Sequence, residues 1–358
     1  MLSAVIIVSG QDKPIDEESE VIRVDTELVN VPIQVTDRSG KPLLALKPGN
    51  FAVFEDGKPQ KIEEFTATAA PFEVALLLDT SGSARGDLEM IRRAARYFID
   101  SLRAGDRVSL ISFNTANTTG VRSASVEVIC ELTSDRQELF AALEKVGTSN
   151  GTPYYDGLVK IAEAVFGAPP KNEFRGRRAL VALTDGVDST SSADYALAGE
   201  LLGEKGISCY FIQVDTRDFF EADLVGDCKT ATRFSVAQIR RYYRRFDPRS
   251  NVEKTFNFCD LGDFERLAIS KGLYSLADEE MKDLAAVSGG KVFPVADLSE
   301  ARKAFKNVAD EIGTRYSLGY YSTNTQKPGE FRRIRVELKG LPAGTVVNAR
   351  EGYVVPRN

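Results

Sequence analysis

The chain has 358 residues, which is enough for two domains, and its 43% hydrophobic and 27% charged residues are typical of a globular protein. A net charge of −6 disfavours binding to the phosphate backbone of nucleic acid. The sequence contains no histidine, which excludes Ser-His-Asp and Cys-His nucleophiles, histidine acid–base catalysis and His-ligated zinc.

The first 20 residues differ in composition from the rest of the chain. Leu2–Val8 is mostly apolar and is followed by the small residues Ser9 and Gly10, as before a signal-peptidase cut. We interpret this run as the remnant of an export signal that starts upstream, because a basic segment is missing; a short disordered or strand-like tail is the alternative. Residues 11–20 are polar and acidic and are interpreted as a linker. No other apolar run approaches the ~18 residues of a membrane span. From the export remnant we expect a periplasmic or secreted protein.

Both ends of the remaining chain have strand patterns. Residues 21–71 contain apolar runs separated by turns, among them Asp56-Gly57, which is a strong hairpin signal. Residues 314–358 alternate apolar and polar residues within Tyr316–Tyr321, Phe331–Leu338 and Val346–Val355. Because neither end has enough strands to bury a face alone, we predict one small antiparallel β-sandwich built from both. The domain between them would then be inserted into this sandwich.

Residues 72–313 alternate predicted strands with predicted helices. Glu73–Leu78 is a continuous apolar run, typical of a parallel strand covered on both faces. Further strands are predicted at Val108–Phe113, Val126–Leu132, Ala179–Leu183, Ile207–Val214 and Lys291–Val295. Helices are expected near residues 90–102, 135–146 (capped by Ser134), 153–166 (with Pro153 in its first turn), 193–205, 278–287 and 298–312. This order predicts an α/β fold with a doubly wound, mostly parallel sheet and helices on both faces.

Residues 216–277 interrupt this alternation and are too long for an ordinary loop. Between Lys229 and Lys254 there are eight basic and two acidic residues, and a short basic helix is predicted at Val236–Phe246. This helix is either a solvated face or a docking patch for an acidic partner. Cys228 and Cys259 flank the segment and would form a disulfide in an oxidising compartment, or remain thiols otherwise. The other two cysteines, Cys130 and Cys209, lie in predicted strands and are expected to be buried thiols.

Oxygen-bearing side chains follow the ends of the predicted parallel strands. Asp79, Ser81 and Ser83 stand at positions i, i+2 and i+4 after the first strand, Thr152 precedes a helix, and Asp185 ends an apolar strand. The carboxyl edge of such a sheet is where ligands bind. Carboxylates with hydroxyls form an all-oxygen set that suits Mg²⁺, with Mn²⁺ or Ca²⁺ as alternatives. Two further aspartates are expected to support the site from outside, Asp156 by capping or orienting the loop and Asp188 from behind the ligands.

With these motifs in this order, the sequence resembles the von Willebrand factor type A domain and its metal-ion-dependent adhesion site, over about residues 72–313. The resemblance implies that Asp79, Ser81, Ser83, Thr152 and Asp185 hold one divalent cation. It also implies a non-enzymatic, adhesion-type binding protein, in which a carboxylate of a protein partner completes the coordination. Residues 51–62, 332–336 and 350–353 resemble a bacterial group, found notably in acidobacteria, that carries this domain between β flanks.

Two other functions are alternatives to this interpretation. A structural scaffold with a vestigial metal site is one, and a metal-dependent phosphohydrolase is the other. Haloacid-dehalogenase-like phosphatases need a second aspartate two residues after the first, and that position is Ser81 here. The sequence contains no GxxxxGK[ST] loop, and residues 82–86 do not fit a dinucleotide-binding fingerprint. We therefore expect no enzymatic activity.

Overall fold

The computed structural model describes residues 28–68, 70–81, 88–118, 121–228, 233–249, 257–324 and 327–355. The predicted export remnant, the linker up to residue 20 and the candidate ligand Ser83 lie outside the described residues.

The central domain is built on a six-stranded sheet within the described part of the chain. Its strands are β5 (Glu73–Leu78), β6 (Arg107–Thr118), β7 (Val121–Thr133), β8 (Arg178–Thr184), β9 (Ser208–Val214) and β10 (Lys291–Val295). Their spatial order is β10-β9-β8-β5-β6-β7. All neighbouring pairs are parallel except β6 and β7, which are antiparallel. The sheet is therefore mostly parallel, as predicted.

Helices cover both faces of this sheet, which confirms the doubly wound α/β fold. On one face, apolar side chains of the sheet pack against α1 (Leu88–Ser101), α2 (Arg136–Leu143) and α8 (Ala301–Gly313). On the other face they pack against α3 (Tyr154–Lys160), α4 (Tyr195–Glu204) and α7 (Asp263–Ser288). Every residue of β5 is buried, because this central strand is enclosed from both sides.

The two ends of the chain form a pair of four-stranded antiparallel sheets in the described residues. The N-terminal strands are β1 (Leu28–Thr36), β2 (Phe51–Glu55), β3 (Lys58–Gln60) and β4 (Glu64–Thr66). The C-terminal strands are β11 (Tyr316–Tyr321), β12 (Phe331–Leu338), β13 (Val346–Ala349) and β14 (Gly352–Val354). The spatial orders are β13-β1-β11-β4 and β14-β12-β2-β3, so each sheet combines strands from both ends. The two sheets share one apolar core, which contains residues such as Val31, Val53 and Leu318.

Two arginines fix the junction where the chain passes between sandwich and α/β domain. Arg177 is fully buried and donates hydrogen bonds to five backbone carbonyls, four of them in residues 67–71 and one at Arg315. Burial lowers the pKa of Arg177 to about 10. Arg103 donates to the carbonyls of Thr68 at 2.6 Å and Gly313 at 2.5 Å. The two segments in which the chain passes between the sandwich and the α/β domain are thus both hydrogen-bonded to the guanidinium groups of Arg103 and Arg177.

Several predicted element ends are corrected. The helix cap is Asp135 and not Ser134, because the Asp135 carboxylate accepts hydrogen bonds from two backbone N–H groups of the first turn. Pro153 occupies the N-cap of α3 rather than its first turn, and α3 continues as a π-helical turn at Ile161–Val165. The predicted strand Val346–Val355 is two strands, β13 and β14, which lie in different sheets.

The largest correction concerns the insertion. The helix predicted to start at residue 278 starts at Asp263 and has 26 residues. The apolar residues of its first half, such as Ile269 and Leu273, pack in a separate small core formed by the insertion. The apolar residues from Ala277 onward pack against the sheet. The insertion also contains α5 (Arg217–Ala222) and α6 (Val236–Phe246), the latter with the predicted bounds.

The cysteines divide into two kinds. Cys228 and Cys259, 31 positions apart, form a disulfide within the insertion, with 5.2 Å between their Cα atoms. Cys130 and Cys209 are free and buried in strands, as predicted. Disulfides of this kind are typical of oxidising compartments. In the part of the chain that the structure describes, none of the helices combines the length and apolarity that crossing a membrane requires.

Candidate metal centre

Two aspartates follow neighbouring parallel strands at the carboxyl edge of the sheet. β5 and β8 are parallel neighbours with Leu78 opposite Leu183, and the chain continues from these strands into Asp79 and Asp185. The backbone N–H of Asp79 donates to the carbonyl of Leu183 at 2.9 Å, so the pairing extends to the first aspartate. The register of two central strands therefore brings together carboxylates that are separated by about a hundred residues in the sequence.

Both carboxylates are held by the same pattern of hydrogen bonds. Asp79 Oδ1 accepts from the backbone N–H of Ser81 at 3.0 Å, and its Oδ2 accepts from the hydroxyl of Thr184 at 2.7 Å. Asp185 Oδ1 accepts from the backbone N–H of Val187 at 2.9 Å, and its Oδ2 accepts from the hydroxyl of Thr216 at 2.5 Å. Each carboxylate oxygen has a second lone pair beyond the one used here. The geometry thus fixes both groups and leaves them able to bind a cation.

The electrostatic setting of the two carboxylates favours a positive ligand. Burial raises the pKa of Asp79, although hydrogen bonds from Thr184 and Ser81 act against that shift. The pKa of Asp185 is raised by loss of water and then by the negative charge of Asp79. Among the described residues, no lysine or arginine forms an ion pair with either aspartate.

Hydrogen bonds bring the loop containing Thr152 to the same edge. The carbonyl of Thr80 accepts from the backbone N–H of Ser149 at 2.8 Å, which joins this loop to the Asp79 loop. The backbone N–H of Thr152 donates to Ser189 Oγ at 2.8 Å, and the N–H of Ser189 donates back to the Thr152 carbonyl at 2.9 Å. Thr152 and Ser81 are 8% and 7% exposed. The four predicted ligands that the structure describes therefore come from three adjoining loops.

Asp156 and Asp188 connect these loops from behind. Asp188 Oδ1 accepts from the backbone N–H of Tyr154 at 2.9 Å and so caps the start of α3. Burial raises the pKa of Asp188 to about 7. The Asp156 carboxylate accepts from the backbone N–H groups of Ser192 at 3.0 Å and Ala193 at 2.8 Å. Both aspartates hold the Thr152 loop against the loop that follows β8.

Three residues around the site were missed by the sequence analysis. Thr184 lies next to Asp185 in the chain but bonds Asp79, while Thr216 and Tyr274 belong to the insertion. Threonine and tyrosine are common, and their distances in sequence from the aspartates follow no recurring spacing. Thr184 offered the one available clue, since a threonine at the end of a buried strand must place its hydroxyl at the same edge.

The donor set decides which ions would fit this edge. Within the described ranges no three Asp, Glu or Cys side chains come together in a group that could hold a metal ion. A metal here would therefore depend on the hydroxyls of Ser81 and Thr152 as well as on the two carboxylates. Such neutral and anionic oxygens suit hard cations such as Mg²⁺, Mn²⁺ or Ca²⁺ and are poor ligands for soft metals. The residues present fit a divalent cation of this class.

The architecture and this edge define an α/β domain with an oxygen-rich site at the carboxyl ends of its strands. A model of the von Willebrand factor type A domain family matches residues 74–187, which include Asp79, Thr152 and Asp185. This part of the chain is therefore similar to von Willebrand factor type A domains. No curated protein matches the sequence.

Solved structures with a similar arrangement come from distant proteins. A von Willebrand factor type A protein from Catenulispora acidiphila is 12% identical with a TM-score of 0.43, covering 93% of this chain and 74% of that protein. The conserved hypothetical protein BatB from Bacteroides thetaiotaomicron is 18% identical with a TM-score of 0.40, covering 67% and 98%. Proximal thread matrix protein 1 from the mussel byssus is 12% identical with a TM-score of 0.42, covering 67% of this chain. The match spans about half, 48%, of the mussel protein.

Proposed function

We propose that this protein is a non-enzymatic binding protein, in which a divalent cation at the carboxyl edge of the sheet binds a carboxylate of a protein partner. The observation that carries the proposal is the pair Asp79 and Asp185. They follow neighbouring parallel strands, and each carboxylate oxygen keeps a lone pair beyond its hydrogen bond. Among the described residues, neither aspartate forms an ion pair with a lysine or arginine. A cation would compensate the two negative charges that the fold brings together.

Asp79, Ser81, Thr152 and Asp185 would hold this cation, together with Ser83 from the sequence motif. Mg²⁺ and Mn²⁺ are the preferred ions, with Ca²⁺ as the alternative. When bound, the cation would supply an electrophilic position for an incoming carboxylate, because two carboxylates do not fill a shell of about six oxygens. The protein's own part is to orient both aspartates, which the backbone and threonine hydrogen bonds do before any ligand arrives.

The absence of histidine and the serine at position 81 support binding rather than catalysis. The disulfide of the insertion supports a location outside the cytoplasm. An acidic partner at α6 has weaker support, because two of its arginines already pair with glutamates of α7. Arg241 lies 2.6 Å from Glu280 and Arg245 lies 3.6 Å from Glu279. The solvated-face interpretation of α6 is therefore the one that we favour.

The first experiment measures metal binding directly. Calorimetric titration of the full chain with Mn²⁺ should show one site, and the double variant Ser81→Ala/Thr152→Ala should lose it. Ser192→Ala is the matched control, because Ser192 is exposed on the neighbouring loop and its backbone, not its hydroxyl, makes the bond to Asp156. Binding that is equal in the double variant and the wild type would refute the site.

The second experiment separates the binding function from its alternatives. Proteins of the native envelope or medium would be captured on the wild type and on Asp79→Ala, each with Mg²⁺ or with EDTA. A partner retained by the wild type with Mg²⁺ alone supports the proposal. Metal binding without any metal-dependent partner would favour a scaffold, and Mg²⁺-dependent hydrolysis of p-nitrophenyl phosphate that Asp79→Ala loses would favour a phosphohydrolase.

A further inference from the structure

The insertion begins directly beside the candidate metal centre. Thr216 follows β9 and occupies the N-cap position of α5, where a threonine hydroxyl commonly caps the helix. No such cap bond is formed here; the hydroxyl donates instead to Asp185 Oδ2 at 2.5 Å. The side chain is thus turned from the helix that it starts toward the carboxylate.

A second hydroxyl fixes the direction of this bond. Tyr274 on α7 has its hydroxyl oxygen 2.8 Å from Thr216 Oγ1. A threonine hydroxyl carries a single proton, and that of Thr216 is donated to the carboxylate, which can only accept. Tyr274 must therefore be the donor in the other bond. The result is a directed chain of hydrogen bonds, from Tyr274 to Thr216 to Asp185.

The position of Tyr274 is set by the packing of α7 against the turn after Asp185. Gly186 has a φ of +74°, and a β-carbon added there would lie 2.8 Å from the methyl carbon of Met281. Ile269 and Leu273, which precede Tyr274 on this helix, pack into the insertion's own core. The same helix is thus anchored on the metal edge and in the insertion.

We propose that Thr216 and Tyr274 are positioning residues for Asp185, which make the insertion a working part of the metal centre. This inference rests on the proposed function. Hydrogen-bond partners behind a ligating carboxylate orient it, and their loss typically costs 10- to 100-fold in metal affinity. The alternative is that the bonds merely attach the insertion to the α/β domain, in which case metal affinity does not depend on them.

The test compares metal affinity with stability in four variants of the full chain. Mn²⁺ affinity would be measured by calorimetry, and the metal-free melting temperature by circular dichroism. Thr216→Val keeps the shape of the side chain but removes the donor, whereas Thr216→Ser keeps the donor. Tyr274→Phe removes the second donor. Tyr243→Phe is the control, because its hydroxyl bonds Glu265 within the insertion rather than the Asp185 chain.

We expect Thr216→Val to weaken Mn²⁺ binding by about 10- to 100-fold. Tyr274→Phe should weaken it less, because the bond to Asp185 itself remains. Thr216→Ser should restore binding to within about 3-fold of the wild type, and Tyr243→Phe should not change it.

Two results would overturn the inference. If Thr216→Val binds Mn²⁺ like the wild type, or if Thr216→Ser binds no better than Thr216→Val, the bonds are only structural. In that case the metal site itself stands, provided that Ser81→Ala/Thr152→Ala abolishes binding. Absence of Mn²⁺ binding by the wild type would instead refute the proposed function and this inference together.

Discussion

Glu55 should be the residue on which the β-sandwich depends most. It ends β2, is fully buried, and its carboxylate accepts four hydrogen bonds from the C-terminal part of the chain. Tyr320 and Tyr353 donate their hydroxyls to Oε2 at 2.8 and 3.0 Å, while Ser322 and Asn324 donate to Oε1 at 2.6 and 2.7 Å. One side chain from the N-terminal segment thereby joins both sheets of the sandwich.

The expected loss in the free energy of unfolding follows from the hydrogen bonds that each substitution removes. Glu55→Ala removes the carboxylate that accepts these four hydrogen bonds, at about 1–3 kcal/mol for each bond lost, although the Asn324 amide keeps the backbone carbonyl of residue 55 as an acceptor. Taking the lower end for the other three bonds gives a loss of about 3 kcal/mol, before the cost of the cavity, against a typical domain stability of about 5–15 kcal/mol. Glu55→Gln keeps the shape and one oxygen for Asn324 and Ser322. The two tyrosine hydroxyls can turn to accept from the amide group of the glutamine. The loss of stability in Glu55→Gln should therefore be about 1–2 kcal/mol.

The assay is urea unfolding of the full chain followed by circular dichroism and by limited proteolysis. Because sandwich and α/β domain need not unfold together, the first transition is the one to compare. Glu55→Ala should lower its midpoint far more than Glu55→Gln does. A loss below about 1 kcal/mol in Glu55→Ala, or equal losses in both variants, would refute the reasoning.

Three further predictions concern the junction and the insertion. Arg177→Met should cost about 3 kcal/mol or more and open the segment at residues 67–71 to protease, because five backbone carbonyls lose a hydrogen bond. Of these, the carbonyl of Thr68 keeps its bond from Arg103 and that of Ala67 keeps its bond from the N–H of Ala70. Cys228→Ser/Cys259→Ser should reduce the stability of the insertion by about 3–4 kcal/mol, measured by hydrogen exchange. Gly272→Ala should cost about 1–3 kcal/mol, since its β-carbon would lie 2.5 Å from a tyrosine ring of α6; Gly203→Ala, with open space around it, is the control.

Each of these has a result that would contradict it. Unchanged proteolysis of residues 67–71 in the Arg177 variant would mean that the junction does not depend on the guanidinium. Four free thiols in protein from its native host, found by mass spectrometry of non-reduced peptides, would contradict the disulfide. Equal hydrogen exchange of α6 in the Gly272 and Gly203 variants would show that α6 and α7 accommodate the added methyl group without loss of stability.

The sequence determined the layout of the fold because its strands are local patterns. Three strands are predicted with the bounds that the structure has, because a polar residue directly follows each of them: Glu73–Leu78, Tyr316–Tyr321 and Phe331–Leu338. The candidate ligands could also be found, because Asp79 and Asp185 each directly follow an apolar strand. Strands that share a parallel sheet must present such residues at one edge. Helix ends were less certain, as Ser134 and Asp135 show, because neighbouring residues are both able to cap.

Tertiary structure alone decided which residues surround and support these patterns. Thr216 bonds Asp185 across 31 positions, Tyr274 bonds Thr216 across 58, and Glu55 bonds Tyr353 across 298. Nothing in local sequence selects these partners, because hydrogen bonding depends on where the packed helices and strands place each hydroxyl. The start of α7 at Asp263 could not be predicted from the sequence for the same reason. Its first half is apolar toward the insertion and its second half toward the sheet, so no single face repeats along the helix.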